Sequence, residues 1–387
     1  MTFTGEDRPG VAAGLFAAVA DRHVVVLDVE QVVVRGHLTL AVLLTQGDDA
    51  PALEADLRRA GKALDMKVRC RNGFGDNAPR RAGRLHVTVL AAPLPAAALQ
   101  AVTEAIAAHG GNIDRVRRIS RWPVTTVEID VSGADVIDLR RVLSGLASAH
   151  RVDVAVAPAG LARRGRRLVV MDVDSTLIQD EVIELLAGHA GRLPDVAAIT
   201  ERAMRGDLDF AASLHERVAL LAGLPTSVLD DVREQVRLTP GARTLVRTLK
   251  RLGFTVGLVS GGFVEIVQPL ADLLGIEHVE ANRLEVADGQ LTGRVVGDVL
   301  DRPGKAAALR RFAAAEGISL SRTIAIGDGA NDLDMLDTAG LGIAFNAKPV
   351  VRAQADASVT VPYLDAVLYL IGIPRHEVEE ADAADAG

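Results

Sequence analysis

Apolar positions in this chain fall into two rhythms, and the change between them marks its organisation. From residue 168 onward, short runs of Val, Ile, Leu and Ala alternate with stretches of helical period. "LVVM" (168–171), "FTVGLVS" (254–260), "RTIAIGD" (322–328) and "GLGIAF" (340–345) are apolar almost throughout and run into Asp, Ser or Asn. Strands that lack polar alternation are buried on both faces, so these runs predict the central strands of a parallel sheet covered by helices. In such sheets ligands bind at the carboxyl ends of the strands, where these polar residues fall. About 75 residues of helical pattern separate Thr176 from the second run, predicting a helical insert above those ends.

The first 157 residues follow a different rhythm and repeat themselves. An offset of 86 lays Pro9 over Pro95, Asp28 over Asp114 and the Arg35-Gly36 turn over Arg121-Trp122. Each copy predicts a βαββαβ unit, the ferredoxin-like split-βαβ arrangement. In the second copy the elements fall at about 84–92, 95–109, 113–121, 124–131, 134–148 and 151–157. The first copy has only Thr2 to Thr4 for its opening strand, which is therefore short unless the chain starts upstream. "APAGLARRGRRL" then reads as an exposed basic linker, and the closing "RHEVEEADAADAG" as an acidic, flexible tail. The expected division is 1–75, 83–158, a linker 159–167, an α/β domain 168–372 with its helical cap at about 182–250, and a tail 373–387.

Composition narrows the function. With 387 residues the chain needs more than one core, and 49% apolar against 24% charged residues is an ordinary globular balance. A net charge of −8 argues against a nucleic-acid partner. One cysteine excludes an internal disulfide framework and suits a reducing compartment. No membrane span or N-terminal leader is expected, so the reading is cytoplasmic. The histidines are scattered without zinc-ligand spacing, so any metal should be a hard cation held by carboxylates.

The strand ends supply those carboxylates. Asp172 and Asp174 point the same way from the first strand, at an electrostatic cost that requires a positive partner. Ser260-Gly261-Gly262 closes the second, and "GDGAND" brings Asp328, Asn331 and Asp332. Lys305 stands in the first turn of the helix "PGKAAALRRFAAAEG", against the helix dipole. Carboxylates for Mg²⁺, with a hydroxyl, glycine N–H groups and a lysine for an anion, are the equipment of phosphoryl transfer. Singly, each aspartate also reads as a helix cap and the Ser-Gly-Gly as an ordinary turn.

In this order the four segments resemble the haloacid dehalogenase superfamily. The resemblance implies Asp172 as nucleophile and Asp174 as general acid and base. It implies Mg²⁺ held by Asp172, the Asp174 carbonyl and Asp328, with Asp332 supporting it through water. Ser260, Gly261, Gly262, Lys305 and Asn331 would surround the phosphoryl group. Within the cap, Phe210, Leu214, Arg217 and Leu221 lie along one helical face, which sets an arginine on an apolar stripe. Arg217 is thus a candidate carboxylate binder or a snorkelling rim residue, and Glu181 an ammonium binder or an acid that favours a helix start. With these two the match narrows to the phosphoserine phosphatase family, in which Glu181 would bind the substrate amine and Arg217 its carboxylate. Met204 and Phe210 would line the cap pocket. That family's reaction is Mg²⁺-dependent hydrolysis of phosphoserine, the last step of serine biosynthesis.

The repeats, with "EDRPGV" at the first strand-to-helix turn, resemble ACT domains. This implies regulation by an amino acid, serine or glycine, with Gly10 and Gly110 as contacts, and a homodimer formed through these domains. The alternatives are a phosphatase or phosphotransferase for another small ester, and a protein that acts chiefly as an amino-acid sensor.

Overall fold

The computed structural model describes residues 1–45, 49–73, 83–160, 165–204 and 207–385, and the Met204 side chain lies outside what is described. The chain forms two compact units, Met1–Arg80 and Arg81–Gly387.

The first unit runs β1 (Thr2–Glu6), α1 (Val11–Ala17), β2 (Val26–Val34), β3 (His37–Leu44), α2 (Ala50–Ala63) and β4 (Lys67–Arg69). Its antiparallel sheet has the order β2-β3-β1-β4. Alternation along β3 sends Leu38, Leu40 and Val42 into a core with Phe3, Val11, Leu15, Leu53 and Leu57. The opening strand spans five residues, longer than the three the sequence suggested. The edge strand β2 is exposed at all nine positions, although five of them are valine.

The second unit opens with the other copy: β5 (Leu85–Ala91), α3 (Ala96–Ala108), β6 (Asn112–Arg118), β7 (Thr125–Ser132), α4 (Val136–His150) and β8 (Asp153–Pro158). Its order β6-β7-β5-β8 repeats that of the first sheet. One face carries the two helices on Val87, Val89, Ile129 and Val131, while Leu90, Ile119, Val124 and Ala155 join the core of the α/β domain.

That domain comprises β9 (Leu168–Met171), α5 (Val182–His189), α6 (Leu193–Met204), α7 (Phe210–Ala219), α8 (Val228–Gln235), α9 (Ala242–Arg251), β10 (Thr255–Phe263), α10 (Val264–Leu274), β11 (His278–Ala287) and β12 (Gln290–Val296). It continues with α11 (Arg302–Ala315), β13 (Thr323–Gly327), α12 (Leu333–Thr338), β14 (Leu341–Phe345), α13 (Pro349–Arg352), β15 (Ala357–Val359), α14 (Val367–Leu370) and α15 (Arg375–Asp385). The sheet order is β12-β11-β10-β9-β13-β14-β15. All four apolar runs are strands at its centre, with β9 between β10 and β13. The hairpin β11–β12, not read from the sequence, adds the antiparallel edge and bonds the α7–α8 connection through Gly223 N to Leu291 O (2.8 Å) and Leu291 N to Leu224 O (2.8 Å).

Two expectations change. Residues 375–385 are a helix, not a flexible tail. Val378 is buried, and Arg247 and Arg251 of α9 pair with Asp382 while Arg375 pairs with Asp365. Acidic composition suggested disorder, but these acids meet a basic helix face and one apolar anchor holds the turn. The linker is not wholly free either: Arg166 pairs with Glu316, while Arg163 and Arg164 lie outside the described residues.

The second repeat and the α/β domain also share a seam. Asp153, fully buried at the start of β8, accepts hydrogen bonds from Ser358 Oγ (2.7 Å), Thr360 N (2.8 Å) and Thr360 Oγ1 (3.0 Å). Nearby, Arg140 pairs with Asp356 at 2.6 Å.

Candidate active site

The central strand sets the first group. β9 delivers Asp172, buried, with its N–H donated to Ile326 O of β13 at 2.9 Å. Beyond it the chain turns sharply, with Ser175 in the left-handed region (φ 55°). The turn aims Asp174 back at the sheet, where Oδ1 accepts from Val182 N (2.8 Å) and Oδ2 from Ser260 Oγ (3.1 Å). Both aspartates have their carboxyl pKa raised, chiefly by burial. For Asp172 the nearby charges of Asp332, Asp328 and Asp174 add to the rise and Lys305 opposes it.

Lys305 is the positive partner that the strand end required. Its Nζ lies 2.8 Å from Asp172 Oδ1 and 2.7 Å from Asp332 Oδ1, in full burial. Burial disfavours the ammonium, but these two carboxylates outweigh it and hold the lysine charged, above its ordinary range. The helix dipole that should have kept a cation out of this turn is overridden by charges a few ångströms away.

At the end of β13, Asp328 accepts from Thr176 Oγ1 (3.3 Å), and burial with the Asp332 charge pushes its carboxyl up to about 6. Carboxylate oxygens of Asp172, Asp328 and Asp332 lie within 4.8 Å of one another. Three close acids and one lysine leave excess negative charge in a buried place, which fits a hard divalent cation. Both Asp332 oxygens are engaged, one by Lys305 and the other by Gly329 N (3.0 Å), so Asp172 and Asp328 are the freer donors.

The Ser-Gly-Gly turn owes its glycines to crowding. A Cβ on Gly262 would lie 2.8 Å from Asp174 Oδ2, and one on Gly261 would lie 3.0 Å from Phe210 Cζ. The cap's Phe210 ring therefore packs onto the turn. Gly262 N–H is taken by Ser260 Oγ at 2.8 Å. Asn331 stands on the one-turn helix Ala330–Asp332, next to Gly329.

Glu181, directly ahead of α5, accepts from Ser175 Oγ at 2.7 Å, and desolvation together with the Asp174 charge pushes its carboxyl up to about 7. Arg217 is half-buried, donates Nε to Ser213 O (3.2 Å) and feels the charges of Glu181, Asp174 and Glu184. Glu181 and Arg217 form no ion pair with each other among the described residues. The chain enters and leaves the cap side by side: Ile178 bridges Leu238, Gln179 N bonds Arg237 O (2.9 Å), and Thr239 Oγ1 bonds Thr176 O (2.7 Å).

Gly10 and Gly110 do not occupy equivalent places. Gly10 caps α1 at the hairpin end of its sheet, whereas Gly110 follows α3 and faces Gly133 at the opposite end of its own. Sequence reasoning missed Ser175, Thr176 and Asn282.

A model of haloacid dehalogenase-like hydrolases matches residues 169–337, and two ACT-domain models match 1–71 and 85–157. A phosphoserine phosphatase of Streptomyces coelicolor is 58% identical over 382 residues, which is 98% of this chain and 93% of that protein. The chain belongs to the phosphoserine phosphatase family. A phosphoserine phosphatase of Mycobacterium tuberculosis is 53% identical over 396 residues, covering 100% of this chain and 96% of that one. A solved structure of a phospho-aspartyl intermediate analogue of phosphoserine phosphatase is 42% identical, with a TM-score of 0.51. It covers 53% of this chain and 98% of its own. Among the described residues, no helix is long and apolar enough to cross a membrane.

Proposed function

We propose that this chain hydrolyses O-phospho-L-serine to L-serine and phosphate through an aspartyl-phosphate on Asp172, and that it requires Mg²⁺. Supporting the first step, Asp172 is buried at a strand end with Lys305 against one oxygen. Its carboxylate attacks phosphorus, the bond from phosphorus to the seryl oxygen breaks, and Asp174 gives that oxygen a proton. Burial favours the protonated form of Asp174 that this step needs. Asp174 then takes a proton from water as its oxygen attacks phosphorus and frees Asp172. Dividing one displacement into two lowers each barrier.

Asp172, Asp328 and the Asp174 carbonyl would hold Mg²⁺, with Asp332 supporting it through water. The ion supplies neutralisation of charge on the transferring phosphoryl group. Lys305 adds a fixed positive charge to the same place. Ser260 donates to Asp174 at 3.1 Å and would turn its hydroxyl to a phosphoryl oxygen when substrate binds.

One observation supports the choice of substrate: Glu181 and Arg217 both feel the charge of Asp174, and among the described residues they form no ion pair with each other. Glu181 takes the substrate ammonium and Arg217 its carboxylate, with Phe210, whose ring packs onto the Ser-Gly-Gly turn, beside them. Replacing Arg217 with Ala tests this. Phosphoserine kcat/KM is expected to fall by about a hundredfold or more, the loss of a buried charge-assisted pair, while 4-nitrophenyl phosphate is still hydrolysed. Equal loss on both esters would remove the carboxylate assignment.

The ACT domains support regulation by an amino acid, and serine and glycine are the proposed effectors, with Gly10 and Gly110 as contacts. The exposed edge of β2 supports a homodimer formed through these domains.

A further inference from the structure

The phosphate-binding turn interrupts the sheet, and a side chain repairs the interruption. The β10–β11 ladder runs in register to Ser260–Ala281, then breaks and resumes at Phe263–Asn282, so Gly261 and Gly262 loop out of it. A buried backbone carbonyl in such a loop loses its ladder partner and needs another donor. Asn282, 3% exposed, provides it, with Nδ2 donating to Gly261 O at 2.8 Å. The other half of the same amide accepts from Leu300 N at 2.8 Å. Leu300 directly precedes Asp301, which caps α11 through Gly304 N (2.9 Å) and whose carbonyl accepts from Lys305 N (2.9 Å).

One buried amide thus joins the Ser260-Gly261-Gly262 turn to the entry of the helix that carries Lys305. We propose that Asn282 is a positioning residue for phosphoryl transfer. It fixes the distance between the two anion-binding elements, which come from different parts of the chain. An amide suits the task because it donates and accepts at once and places no extra charge beside three aspartates. Aspartate could keep the bond to Leu300 N but would set an oxygen against the Gly261 carbonyl. Alanine would leave both backbone groups without partners.

The inference rests on phosphoryl transfer at Asp172, not on which ester is the substrate. Its test uses the full chain with Mg²⁺ and compares Asn282→Asp and Asn282→Ala with the unchanged protein. Each is assayed on L-phosphoserine and 4-nitrophenyl phosphate, with inhibition by inorganic phosphate and the folded fraction from circular dichroism. Misplacement of the turn is expected to lower kcat by about tenfold to a hundredfold on both esters alike. Inhibition by phosphate should weaken in step, with the protein still folded. Unchanged kcat and phosphate inhibition in a folded Asp variant would overturn the proposal. A kcat loss that only tracks the folded fraction, or that falls on phosphoserine alone, would overturn it as well. If the unchanged protein hydrolyses the aryl ester but not phosphoserine, the substrate reading fails while Asn282 remains tested.

Discussion

At the scale of single residues, the site is an arrangement for keeping charges apart from water and close to one another. Asp172 and Asp174 looked costly in the sequence, and the cost is met by different neighbours. Lys305 serves the first, while the second is held by a backbone N–H and a serine hydroxyl. These positions were legible because each stands at the end of an apolar run. Asn282 and Ser175 were not, since their meaning depends on which backbone group or carboxylate lies opposite. Glu181 gives a pH prediction. An ammonium needs the carboxylate form, and this carboxyl sits up at about 7 in the free protein. As pH falls through 7, kcat/KM for phosphoserine should drop by up to tenfold per unit, whereas 4-nitrophenyl phosphate should lack that limb. Glu181→Gln should remove the limb and leave low phosphoserine turnover at every pH. A limb that persists in that variant would assign it to another group.

At the scale of elements, the central strands followed directly from their unbroken apolar runs. The β11–β12 hairpin escaped because it is half-exposed and interrupted by polar residues. The closing helix α15 escaped for another reason: its composition is that of a tail, and only its neighbours on α9 make it a helix. Its weight can be apportioned. Exposed ion pairs such as Arg251–Asp385 are screened by solvent and add little, whereas burying Val378 contributes about 1.5 kcal/mol. Ending the chain at residue 373 should therefore cost about 1.5–2 kcal/mol of stability, chiefly from lost packing. High salt should recover little of the difference between the two proteins if packing dominates. Denaturant unfolding at low and high salt measures this, and a difference that vanishes in salt would assign the helix to electrostatics.

At the scale of the whole molecule, every residue proposed for the chemistry lies between 172 and 332, in one unit with the second ACT domain. The repeat was legible as a repeat, because an 86-residue offset aligns its turns. That the second copy shares a core with the α/β domain while the first forms its own unit was not, since Leu90, Ile119, Val124 and Ala155 look like ordinary strand residues. A chain beginning at residue 83 should keep phosphoserine turnover within about twofold, because the residues proposed for the chemistry all lie in the second compact unit. Any response to serine or glycine that needs the first ACT domain should disappear with it. Loss of basal turnover in a folded protein of this length would show that the first domain takes part in the chemistry.

The central claim is that Asp172 carries the phosphoryl group of phosphoserine. Its most direct measurement is phosphate release from L-phosphoserine with Mg²⁺, comparing the full chain with Asp172→Asn at equal folded fraction. Steady release is expected from the unchanged protein and a loss of at least about a thousandfold in the variant, as removal of a nucleophile requires. Release that survives the substitution would contradict the claim.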